Sequence, residues 1–289
     1  MRETMSATIL TIDLARVVQN YNYFKTEVQR EATKKAERSA AGHAWYSSGE
    51  PAEVAAVLKA DGYGLGAEQI GKALANAGCG TFFVAHGFEG VALRSALPDA
   101  VIYVFHGAMA VEEALFKEHG LIPVVNSEAQ LKRYAEFASK NDYNVLALHV
   151  DTGMNRLGLK RDEFQKPCAA PEILEGLDVR LILSHLACAD VENDPKNQLQ
   201  LTEFDELMQA RPTQLKSVPL SLANSAGVLL GPSYHYDLSR VGIGLYGGNP
   251  FSDRGNPFSP VVKLETEILK ITQLEAGETV SYGSTWQAE

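Results

Sequence analysis

At 289 residues the chain is long enough for one large α/β barrel or for two domains. Its formal net charge of -10 at pH 7 argues against nucleic acid and anionic membranes as partners. With 45% hydrophobic and 21% charged residues it has the composition of a soluble globular protein.

Three scattered cysteines (Cys79, Cys168, Cys188) form no CxxC pair and no disulfide framework, which points to a reducing setting. The first residues carry Arg2 and Glu3 and no apolar core of a signal peptide, and no apolar run approaches membrane-spanning length. The chain is therefore expected in the cytoplasm.

Residues 8–14 alternate as a short strand or lead-in, and Asp13 can cap the helix that follows to about Ala32, with Val17, Val18, Tyr21 and Phe24 on one side. From Arg30 to Pro51 the chain turns polar and small, which predicts an exposed excursion. Strands are then predicted at 54–59, 81–85, 101–105, 122–125, 145–150, 179–184, 219–222 and 238–242. Helical segments separate them at 67–77, 87–95, 111–118, 128–139, 161–168 and 198–209. Alternation on this scale predicts a TIM (β/α)8 barrel over 8–246, with a doubly wound sheet as the alternative. A turn-rich linker near 247–257 leads to alternating residues from Val261 to Thr272 and to a further strand start at 279–282. These mark the start of a C-terminal β domain over 250–289. Two or three strands bury too little to fold alone, so the chain is expected either to be truncated within this β domain or to rely on other protein mass.

The chemistry gathers at predicted strand ends. Lys59 follows the buried run Val54 to Leu58 and precedes a loop with Gly62, Gly64 and Gly66. A lysine there can snorkel to solvent, or its lowered pKa can make it a Schiff-base nucleophile. Asp151 to Gly158 brings Arg156 to another strand end, 184–190 brings His185, 223–226 brings Asn224 and Ser225, and 239–244 brings Arg240, Gly242 and Ile243. Taken singly, each of these groups also fits a structural role, satisfying buried carbonyls. Their recurrence at one end of successive strands marks the active face of a barrel, where the last two loops commonly hold phosphate. Gly242 to Gly247 also matches G-x-G-x-x-G, but Gly248, Asn249 and Pro250 follow, so no dinucleotide-binding helix opens there. The histidines have no zinc spacing, and no metal site is expected.

The run Val57-Leu-Lys-Ala-Asp-Gly-Tyr-Gly-Leu-Gly66 resembles the pyridoxal phosphate lysine motif of bacterial alanine racemases. Residues 151–158, 184–190, 223–226, 240–248 and 280–284 resemble further motifs of that family in the same order. The resemblance implies a pyridoxal 5'-phosphate barrel followed by a β domain, assembled as a homodimer, that racemises alanine and supplies D-alanine for peptidoglycan. It implies that Lys59 holds the cofactor and serves as base on the D-alanine face. Tyr63, Ser225, Gly242 and Ile243 would face the phosphate, with Asn224 beside them. Arg156 would bond the phenolic oxygen and contact substrate, His185 would pack at the ring, and Arg240 would face the pyridine nitrogen. Tyr282 would act in trans as the L-face base.

Where many relatives carry a lysine, often carbamylated, this chain has His149. The rival readings are a non-catalytic pyridoxal phosphate-binding barrel and another enzyme of the fold, a decarboxylase or a broader amino-acid racemase. Decarboxylases place a carboxylate at the pyridine nitrogen, and Arg240 speaks against that.

Overall fold

A computed structural model describes residues 8–40 and 52–289. Eight parallel strands form one sheet in the order β8-β7-β6-β5-β4-β3-β2-β9. They are β2 (Glu53–Val57), β3 (Thr81–Val84), β4 (Val101–Val104), β5 (Ile122–Val125), β6 (Val145–His149), β7 (Asp178–Leu183), β8 (Leu220–Ser221) and β9 (Leu238–Val241). The outer strands of that order also meet. Asp237 N donates to Leu220 O at 3.0 Å, and Arg240 N donates to Ala223 O at 2.9 Å. Because the sheet closes on itself, the architecture is a TIM barrel and not an open doubly wound sheet.

Each strand is short and buried along most of its length, as a strand flanked by barrel interior and helices must be. Inside, Ala55, Val57, Phe83, Tyr103, Val124, Ala147, Leu181 and Leu183 fill the barrel. Phe83 stacks on Tyr103 with centroids 4.8 Å apart. Burying side chains of this size stabilises the fold by about 1.5–3 kcal/mol each.

The helices are α1 (Leu14–Ala40), α2 (Lys59–Gly64), α3 (Ala67–Asn76), α4 (Gly87–Ala96), α5 (Glu113–His119), α6 (Glu128–Lys140), α7 (Arg161–Ala169), α8 (Pro195–Ala210) and α9 (Ser225–Leu230). Helix α1 buries Val17, Tyr21, Phe24 and Val28, spaced four, three and four, so one face packs on the barrel. It runs past the expected end to Ala40, so the first half of the polar excursion is helix. Between Arg30 and Ala40 the only apolar residues are alanines, which leave no clear apolar period to read. The remainder of that excursion lies outside the described residues.

The predicted glycine loop after Lys59 is also corrected. Ala60, Asp61, Gly62 and Tyr63 have φ of 53, 52, 64 and 58°, so α2 is a left-handed helical turn. Only Gly62 adopts this without cost; for the others it costs roughly 1–2 kcal/mol per residue.

Of the described residues, 8–12 and 262–289 form a second compact unit, and 13–40 with 52–261 form the barrel unit. Here β1 (Thr8–Ile12) pairs antiparallel with β10 (Val262–Thr266), Leu10 opposite Leu264. The alternation read to Thr272 therefore forms a ladder only as far as Thr266. Strands β11 (Thr279–Val280) and β12 (Trp286–Gln287) make a small hairpin. Tyr282 is not in a strand, as the sequence pattern suggests, but in a turn. Ser281 at φ 60° breaks the ladder just before it, and the Tyr282 side chain is 99% exposed.

Candidate functional site

The C-terminal ends of the barrel strands surround a cavity with two lobes, of about 350 and 380 Å³. Lys59, Phe105, His185 and Arg240 line both. The first lobe adds Tyr63, Asn224, Ser225, Gly242 and Ile243. The second adds His106, Asn126, His149 and Arg156. A larger cavity of about 580 Å³ lies at the opposite, N-terminal ends of the strands. It is lined by Glu172, Glu175 and Asp178 and by no lysine, arginine or histidine.

Lys59 emerges where β2 gives way to the left-handed turn. Its amine lies 5.7 Å from the centre of the Tyr63 ring, because the turn folds Tyr63 back over it. Burial lowers the Lys59 pKa, the Arg156 charge lowers it further, and Glu89 pulls it upward. The Tyr63 ring packs on Tyr246 with centroids 4.6 Å apart, and Tyr246 donates to Val57 O at 3.0 Å.

Gly242 is required beside Tyr63. A Cβ there would run into the Tyr63 hydroxyl. Ser225 Oγ accepts from Gly242 N at 2.9 Å and Gly244 N at 3.3 Å. With both acceptor positions used, the hydroxyl has only its O–H left to offer, as a donor to an acceptor in the cavity. Asn224 caps α9 by accepting from Gly227 N at 2.9 Å.

Arg240 is 2% exposed. Its guanidinium donates to Ser221 Oγ, to Ser184 O at 2.5 Å and to His185 Nδ1 at 3.4 Å. Its Nε has no hydrogen-bond partner among the described residues. Burial pushes its pKa down to about 9, which still leaves a cation at neutral pH. Accepting at Nδ1, His185 carries its proton on Nε2. Burial first, then Arg240 and His149, push its pKa down to about 3, so it is neutral. Its loop is fixed by the buried Gln200 of α8, which donates to His185 O at 2.9 Å and accepts from Ala187 N at 2.8 Å.

Arg156 is exposed on the loop after β6. Asp151 Oδ1 shapes that loop by accepting from Gly153 N at 2.9 Å and Asn155 N at 3.0 Å. His149 also points into the second lobe, with its pKa pushed down to about 3 by burial and then by Arg240. Tyr282 belongs to the second unit. His106, Asn126 and Glu89 are site-forming residues that the sequence pattern did not single out.

These residues fit pyridoxal phosphate on grounds of their own. A nucleophilic amine with lowered pKa, an unpartnered buried guanidinium N–H and an inward Ser225 O–H are complementary to an aldehyde, a ring nitrogen and a phosphate. No group of three or more His, Cys, Asp or Glu among the described residues is arranged to hold a metal.

Fold and site together define a (β/α)8-barrel protein built around one lysine at the barrel mouth. The profile of the alanine racemase N-terminal domain matches residues 41–250. The biosynthetic alanine racemase of Agrobacterium fabrum is 40% identical over 277 residues, covering 96% of this chain and 64% of that protein. The alanine racemase of Rhizobium meliloti is 44% identical over 234 residues, covering 81% of this chain and 61% of that protein. The alanine racemase of Bartonella henselae, solved with covalently bound pyridoxal phosphate, superposes with a TM-score of 0.82 at 33% identity, over 98% of this chain and 72% of that one. The chain belongs to the alanine racemase family. It spans somewhat less than two thirds of the length of these two curated relatives.

Proposed function

We propose that this chain holds pyridoxal 5'-phosphate on Lys59 and interconverts L- and D-alanine in the cytoplasm, supplying D-alanine for peptidoglycan. The observation that carries the reading is the pairing of Lys59 with Arg240 along both lobes: a strand-end amine lining the cavity and a buried cation whose Nε has no partner among the described residues. When bound, the cofactor supplies a conjugated ring that takes up electron density from the substrate α-carbon.

The remaining roles fall to the chain's own groups. The Lys59 amine accepts the α-proton from one face of the substrate and returns it. Arg240, a cation at neutral pH, does not favour protonation of a ring nitrogen beside it, which restrains electron withdrawal and suppresses side reactions. Ser225 and Tyr63 donate hydroxyl protons toward the phosphate, with Asn224, Gly242 and Ile243 shaping that end. His185 supports the ring, and Arg156 orients the phenolic oxygen and the substrate. Tyr282 acts as the base on the other face. Its full exposure supports service to a second copy in a homodimer.

The test is an absorbance spectrum before and after borohydride, with chiral analysis of alanine. The parent chain should show a yellow cofactor band, and Lys59→Ala should lose it. An unchanged band in that variant overturns the reading. A band without any proton exchange at alanine would favour the non-catalytic pyridoxal phosphate-binding barrel.

A further inference from the structure

Glu89 lies in the first turn of α4, on the neighbouring strand-to-helix junction from Lys59. Its Oε2 accepts from Ala85 N at 2.7 Å and His86 N at 3.0 Å. That is the ordinary work of a capping-box glutamate at a helix start. The second oxygen does something a cap does not require. Glu89 Oε1 crosses to the β2 junction and accepts from Ala60 N at 2.6 Å. Ala60 N belongs to the peptide directly after Lys59, so one carboxylate fixes three amides on two adjacent junctions.

That peptide needs fixing. Ala60 and Asp61 are held at positive φ without the freedom of glycine. Within the turn, Gly62 N donates to Leu58 O at 2.9 Å and Gly66 N donates to Asp61 O at 2.9 Å. Asp61 Oδ1 accepts from Ala67 N at 2.8 Å and ties the far end of the turn to α3. At the Lys59 end the tie is Glu89. Hydrogen bonds from backbone N–H to an ionised acceptor are short and about twice as strong as neutral ones.

We propose that Glu89 is a positioning residue for Lys59: by locking the Lys59–Ala60 peptide of the left-handed turn, its carboxylate aims the amine into the cavity. The proposal rests on the reading that Lys59 carries the cofactor. Glu89 also brings the counter-charge that acts on the amine against Arg156, with neutral His185 and the Tyr63 ring completing its surroundings.

Two variants of the whole chain test this. Glu89→Gln keeps the size but offers one acceptor oxygen in place of two and no charge. Glu89→Asp keeps the charge but is one methylene too short to reach both junctions. The first measurement is the pH midpoint of Lys59 acetylation on the cofactor-free chain, read by mass spectrometry. The second is the rate at which added pyridoxal phosphate forms the yellow band.

Glu89→Gln should lower the acetylation midpoint and slow band formation about tenfold. Glu89→Asp should slow band formation while moving the midpoint less. Parent-like midpoint and rate in Glu89→Gln overturn the proposal, whatever the melting temperature does. If Glu89→Gln does not fold, parent-like band formation in Glu89→Asp overturns it. Should the parent itself form no band at Lys59, the cofactor reading fails, and the midpoint on the cofactor-free chain still decides whether Glu89 governs the amine.

Discussion

His149 Nδ1 lies 2.7 Å from Asn126 Oδ1, and the geometry of Asn126 decides which of them donates. Asn126 Nδ2 gives its two protons to Phe105 O at 2.7 Å and Val124 O at 2.8 Å. The amide oxygen must therefore be the acceptor, and His149 carries its proton on Nδ1. Its Nε2 is left as an unprotonated acceptor in the lobe that also holds Arg156.

Acid should destabilise the chain through this histidine and His185. Both have pKa values pushed from 6.5 to about 3, so the native state stays neutral where the unfolded chain takes up protons. The stability they contribute is fully present above pH 6.5 and is lost as pH falls from there toward 3. Each loses about 1.4 kcal/mol per pH unit in that window. Denaturant titrations at pH 7 and pH 5 should show His149→Gln losing less stability than the parent over that interval. Equal losses would mean that His149 is not held neutral.

Gly242→Ala should weaken cofactor binding by pushing Tyr63 off its seat. The added methyl meets the Tyr63 hydroxyl first and the ring carbon behind it only at 3.3 Å. Overpacking of this kind costs about 1–3 kcal/mol. Tyr63→Phe removes the colliding atom, at the cost of its phosphate contact, so the double variant should recover melting temperature relative to Gly242→Ala alone. No recovery in the double variant would place the damage elsewhere.

Arg240→Glu should convert racemisation into side transamination. A carboxylate at that position favours a protonated ring nitrogen, where the guanidinium does not. Racemisation should fall roughly 10²-fold and pyruvate should accumulate, read by chiral chromatography and a coupled pyruvate assay. Arg240→Glu also strips donors from Ser221, Ser184 and His185, so a melting curve must accompany the assay. Parent-like racemisation would remove Arg240 from the ring nitrogen.

Tyr282→Phe should abolish racemisation while sparing exchange on one face. On the proposed roles Lys59 would still remove and return the α-proton of D-alanine, so deuterium should enter D-alanine without conversion to L-alanine. Full racemisation by the variant would show that another group serves the second face.

The sequence makes the barrel legible because each buried strand is a short apolar run bounded by turn residues and followed by helical spacing. Lys59, His185 and Arg240 stand out as polar groups at the ends of such runs, and the fold brings them to one cavity. Glu89 and Asn126 do not stand out, because each acts across to a neighbouring strand, and that adjacency exists only once the barrel has closed. The left-handed turn is hidden for a local reason: three of its five positive-φ residues are not glycine, so composition suggests a loop. The pairing of β1 with β10 joins segments some 250 residues apart, which no short-range pattern encodes.

Arg240 sits where the barrel closes. Its backbone N–H bonds Ala223 beyond β8, and its guanidinium reaches Ser221 on β8 and Ser184 just after β7. The same residue therefore stitches the last seam of the sheet and forms a wall of the cavity. Any breathing of the barrel that parts β8 from β9 must also pull that wall away. A molecule gripping the guanidinium should slow the exchange of the Asp237 and Arg240 amides with solvent, making the seam's hydrogen-exchange rate an occupancy gauge for the cavity.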